Sequence, residues 1–124
     1  MSDLSRQPVI VGAARTPIGR YLGGLSPLSA PELGAIAIRA ALQRSGVAPE
    51  AVQEVIMGCV LPAGLGQAPA RQAMRKAGLP DSTGAVTLSK MCGSGMRTMM
   101  FAHDMLVAGS AQVMLAGGME SMTN

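Results

Sequence analysis

The chain has 124 residues, 48% hydrophobic and 14% charged, with a formal net charge of +3. That is enough for one domain with a real core, too little for two, and too apolar for a disordered tail. No apolar run is long enough to span a membrane, MSDLSRQP at the start lacks the apolar stretch of a secretory leader, and Tyr21 and Phe101 are the only aromatics, so the composition points to a soluble cytoplasmic protein and away from membrane and nucleic-acid partners.

Residues 8–14, PVIVGAA, form a short apolar run closed by RTP and are expected to be a buried strand. Residues 16–28 hold three glycines and two prolines and read as a loop. A helix is predicted to start at Ser29-Ala30-Pro31-Glu32: Ser29 can cap free N–H groups, Glu32 can reach back to Ser29, and Pro31 suits the first turn. Leu33, Ile36, Ala37, Ala40 and Ala41 follow at helical spacing, and Gly46 is expected to stop the helix.

A second strand is expected at 54–61, a second helix at about 69–77 ended by Gly78 and Pro80, and a third strand at 84–89. The helix after Cys92 is predicted to run to about Val107, with Gly109 as its stop, before a fourth strand at 112–116. Strands alternating with helices imply right-handed crossovers and a parallel sheet. Around the helix from Met96 to Ala108, apolar side chains point in every direction. A helix apolar all round is buried all round, and one sheet covers only one side. The chain also stops at MTN, just after a strand, so residues 1–124 are expected to be an incomplete N-terminal domain of a larger protein.

Cys92 lies in SKMCGSGMRTMM, residues 89–100, where a strand and turn enter the third helix. In an open α/β sheet ligands bind at this edge. Helix-start N–H groups favour a thiolate, Gly93 and Gly95 leave room for a substrate, and no acidic residue in the first turn opposes the charge. The competing reading is simple packing, since cysteine is among the most buried residues. His103 is eleven residues further on, about 16 Å along the helix at 1.5 Å per residue, so it is not within reach as a base. Cys59, between Met57, Gly58 and Val60, reads as structural. Two cysteines and one histidine do not suit a structural zinc site. Neither GLGQAPA (64–70) nor CGSGMRT (92–98) completes a dinucleotide fingerprint, and no phosphate loop or GxSxG elbow is present.

VIVGAARTPIG, GCVLPAGLGQAPARQA, MCGSGMRTMM and the closing AGGMESM, in that order, resemble the N-terminal half of a thiolase, on the acetyl-CoA acetyltransferase branch of the family. Cys59 departs from the resemblance, because such enzymes often carry another small polar residue there. The resemblance implies an α-β-α-β-α layered fold with the cysteine-bearing helix in the middle. It implies that Cys92 is the nucleophile, that its backbone N–H helps hold the oxyanion, and that acetyl-CoA and other coenzyme A thioesters are substrates, with no cofactor or metal. It also implies a homodimer or homotetramer paired through the strand before the nucleophile, about residues 84–89. The catalytic histidine, a second cysteine and most coenzyme A contacts would then lie outside this chain. Alternative readings are a ketoacyl synthase, which VIVGAARTPIG and AGGMESM argue against, a non-catalytic dimerisation module, and a nucleotide-binding domain.

Overall fold

The computed structural model describes residues 6–124; residues 1–5, part of the N-terminal stretch read for a leader, lie outside the described residues. Helix α1 spans Ala30–Ser45, β1 Glu54–Gly58, α2 Pro69–Lys76, β2 Gly84–Leu88, α3 Ser94–Ala108 and β3 Met114–Gly118, with a 3₁₀ turn at Pro49–Ala51. The three strands are parallel in the order β2-β1-β3, so the fold is α/β with helical crossovers, as expected.

The capping box of α1 is formed. The Ser29 N–H donates to Glu32 Oε2 at 2.7 Å and the Glu32 N–H to Ser29 Oγ at 3.4 Å, satisfying donors that a helix start leaves free. The Ser29 bonds hold the Glu32 carboxyl below its usual range. Gly46 ends the helix in the left-handed conformation. The buried stripe is Ala30, Pro31, Gly34, Ala35, Ile38 and Leu42, one face round from the expected one, and Ile36 is exposed. The reason is close approach: a Cβ on Gly34 would lie 3.3 Å from Ala73 Cβ of α2 and 2.8 Å from Met119 Sδ. Small residues therefore face α2, and Ala37 and Ala41 line a cavity instead.

Strand alternation divides the sheet. Val55 and Met57 join the core cluster with Ile38, Leu42, Ala73 and Met74 of α1 and α2. Gly58 faces α3, where a Cβ would fall 2.6 Å from Ser94 Cβ. Helix α3 packs on β1 and β3 through its small residues Ser94, Thr98 and Ala102, which are buried. Its large residues Met96, Met99, Met100 and Phe101 are exposed. The expectation that one sheet covers only one side of this helix holds.

Several strands differ from expectation. β1 stops at Gly58 and not at residue 61, because Glu120 takes the Val60 and Leu61 N–H groups that a longer ladder would use. Residues 8–14 form no strand, and Val9, Ile10 and Val11 are 77%, 73% and 62% exposed. A strand exists by pairing, and a cavity of about 540 Å³ separates this segment from the outer edge of β3; it is held instead by Arg44 Nη1, which donates to Ala13 O at 3.0 Å. The last strand begins two residues later than expected and includes Gly117 and Gly118. Those glycines pair with Met57 and Gly58, and Gly118 lets α3 approach, its Cβ position being 3.1 Å from Gly95 Cα.

Candidate active site

All three strands end at one edge, where two backbone bonds tie the strand ends and a third closes the turn after β2. The Cys59 N–H donates to Leu88 O at 3.0 Å, the Met119 N–H to Gly58 O at 2.9 Å, and the Gly93 N–H to Lys90 O at 3.1 Å. Cys92 stands at this edge, exposed, between β2 and the first residue of α3. Its backbone N–H donates to no acceptor among the described residues. The first turn of α3 carries no acidic side chain.

Met91, just before the cysteine, has φ 48°, a left-handed backbone that side chains disfavour. Ser94 closes the turn around it. The Lys90 N–H donates to Ser94 Oγ at 2.8 Å, and that hydroxyl donates to Met91 O at 2.6 Å. A turn later Thr98, fully buried, places Oγ1 2.6 Å from Gly95 O and 3.1 Å from Gly117 O, which fixes α3 to β3. Gly58 and Gly118 remove the side chains that would otherwise hold the helix off the strand ends.

Cys59 is buried. Burial, and then the negative charge of Glu120, push its thiol up from the ordinary value. Glu120 takes the Val60 N–H at 2.9 Å on one oxygen and the Leu61 N–H at 3.1 Å on the other, with Cys59 Sγ 3.8 Å away. It thus ties the loop after β1 to the loop after β3. A neutral buried thiol is a poor nucleophile, in keeping with a structural Cys59. His103 lies exposed against Asp104, its Nδ1 3.1 Å from Oδ1.

Sequence reasoning placed Cys92 and passed over Ser94, Thr98 and Glu120. For Ser94 and Thr98 the available signal was spacing: small hydroxyl residues at i and i+4 ahead of Ala102 mark a close-packed helix face. Glu120 follows a strand-ending glycine pair, where a carboxylate meets loop N–H groups.

Three parallel strands with helical crossovers, and an exposed thiol in the turn ahead of a helix where the strands end, make this an α/β domain that carries a free cysteine at that edge. Residues 8–124 match the family described as thiolase, N-terminal domain, and the chain belongs to the thiolase family. It is 56% identical over 115 residues to an acetyl-CoA acetyltransferase of Cupriavidus necator, covering 93% of this chain and 29% of that protein. It is 53% identical over 119 residues to the mitochondrial acetyl-CoA acetyltransferase of Homo sapiens, covering 96% and 28%. Among solved structures, the Acat5 thiolase of Ascaris suum in complex with coenzyme A superposes with a TM-score of 0.91 at 38% identity, covering 93% of this chain and 30% of that one. The chain thus spans under a third of the length of the curated relatives it matches.

Proposed function

We propose that these residues are the nucleophile-bearing N-terminal part of an acyltransferase that works on coenzyme A thioesters, either joining two acetyl-CoA molecules or cleaving a 3-ketoacyl-CoA. The observation that carries the reading is Cys92, exposed in its turn with its own N–H unengaged. The Cys92 thiolate attacks the thioester carbonyl, and the unengaged N–H of Cys92 helps stabilise the oxyanion. The coenzyme A thiolate leaves and takes a proton. One thioester replaces another, so the acyl group stays activated. A second acetyl-CoA gives up an α-proton, its carbanion attacks the acyl group, and Cys92 is released as thiolate.

The proton steps need a base, and the described residues place none beside Cys92. The proposal therefore includes a longer protein, in which a histidine and a second cysteine come from the remainder. The relatives' greater length supports this, as do the exposed Met96, Met99, Met100 and Phe101, which an added layer would bury. Residues 1–124 alone are expected to be inactive. β2 lies at the edge of the sheet with Val86 47% exposed, which favours a homodimer joined through this strand; a monomer by light scattering of the complete protein would remove that part. A cytoplasmic location belongs to the same proposal, although some relatives are named as mitochondrial.

The test is to mix the complete protein with acetyl-CoA, quench, and locate the acetyl group by peptide mass. Acetyl on Cys92 is expected. Acetyl on Cys59, or on neither cysteine during turnover, overturns the reading. The expression of 1–124 alone with measurable acetoacetyl-CoA cleavage would overturn the fragment's inactivity.

A further inference from the structure

We infer that Ser94 is a positioning residue for Cys92, which rests on the reading of Cys92 as the nucleophile. The Met91 backbone is left-handed at φ 48°, and a methionine has no intrinsic reason to stay there. Met91 is 69% exposed, so packing does not hold it. The turn is held by backbone bonds from Gly93 and Ser94 and by the two bonds of the Ser94 hydroxyl, at 2.8 Å to the Lys90 N–H and 2.6 Å to Met91 O.

That hydroxyl is itself well anchored. Ser94 is 5% exposed and rests directly on Gly58, with no room for a Cβ between them. A chain of contacts therefore runs from the central strand through Ser94 to both residues that precede Cys92. Opening the turn would leave a buried hydroxyl without partners, which is unfavourable. The clamp fixes the direction of the Cys92 Cα–Cβ bond and of its N–H, and small displacements of a reacting group cost rate steeply.

Thr98 supplies an internal control. It sits on the same buried face and also uses its hydroxyl, but its partners are Gly95 O and Gly117 O, not the turn. A merely structural Ser94 would behave as Thr98 does.

The experiment compares Ser94→Ala, Thr98→Val and Cys92→Ser in the complete protein, with kcat for acetoacetyl-CoA cleavage divided by the fraction of molecules that can be acetylated on residue 92 or, for Cys92→Ser, by total folded protein. Ser94→Ala is expected to lower kcat per site by roughly 10–100-fold, the scale of a misplaced reacting group, with KM within about twofold, as for an interaction expressed in the transition state. Thr98→Val is expected to lose stability and keep its kcat per site. Wild-type kcat per site in Ser94→Ala, beside an inactive Cys92→Ser, overturns the positioning role alone. Full turnover in Cys92→Ser overturns the nucleophile reading and this inference with it. If alanine at 94 prevents folding, the equal-sized pair Ser94→Thr and Ser94→Val isolates the hydroxyl: threonine at least about tenfold faster per site supports the inference, and equal rates overturn it.

Discussion

The two cysteines follow neighbouring parallel strands at the same edge of the sheet, yet the chain beyond each gives them opposite properties. After β1, Cys59 continues into a loop whose N–H groups are taken by Glu120, and its thiol ends up buried beside a carboxylate. After β2, the chain reverses through a left-handed residue and enters a helix, so Cys92 faces outward at a helix start with its own N–H unengaged. A cysteine's strand position therefore says little until the following five residues are read.

The largest expected effect separates the two outright. In the complete protein, Cys92→Ser is expected to lower turnover by at least about 10³-fold, or ~4 kcal/mol of barrier, because a hydroxyl is a much weaker nucleophile than a thiolate. Cys59→Ser is expected to stay within about tenfold. Steady-state rates with acetoacetyl-CoA, corrected for folded protein, check this. Comparable losses in both variants would break the contrast.

A second, smaller effect concerns pH. The folded-state value of Cys59 is raised above its unfolded value near 9.0, by burial and then by Glu120. The neutral thiol is favoured on folding, so its contribution to stability is full below the unfolded value. That contribution falls as pH rises through the folded value, because the unfolded chain ionises first. Urea melts of wild type and Cys59→Ala at pH 8 and pH 10 are expected to show the wild-type advantage shrinking at the higher pH. An unchanged gap would mean that the Cys59 site does not resist the thiolate.

The legible parts of the fold were those with local causes. Ser29, Pro31, Glu32 and Gly46 act within a turn of themselves, and α1 starts and stops where they indicate. The same holds for Gly109 after α3 and for the placement of Cys92 before it. Pairing is non-local, and there the sequence misled. PVIVGAA has the composition of a buried strand but no partner within the described residues, and the last strand extends through Gly117 and Gly118 because β1 and α3 demand close backbone approach there. On α1, hydrophobicity drew attention to Ile36, whereas the contact with α2 selects Gly34 and Ala35 for their small size. On α3, conspicuous methionines hid the packed face, which is Ser94, Thr98 and Ala102. At the candidate site, the position of Cys92 ahead of a helix start was legible from its neighbours, but Glu120 reaches across 60 residues to Val60 and no local pattern reports that.

The smallest expected effect concerns a second carboxylate that, like Glu120, takes a backbone N–H. Glu32 accepts the Ser29 N–H at the start of α1, and its folded-state value is lowered, chiefly by the Ser29 backbone bond and then by the Ser29 hydroxyl. A lowered carboxyl stabilises the fold above its unfolded value near 4.5 and loses that contribution as pH falls through the lower folded value. Ser29→Ala is expected to cost about 1 kcal/mol at neutral pH, the usual worth of such a cap. Glu32→Gln is expected to be less stable than wild type at pH 7 and to approach it near pH 3, because the wild-type carboxylate has by then begun to take up its proton. Denaturant midpoints at the two pH values check this. A Glu32→Gln deficit that persists undiminished at pH 3 would show that the side chain acts through packing on α1 and not through its charge.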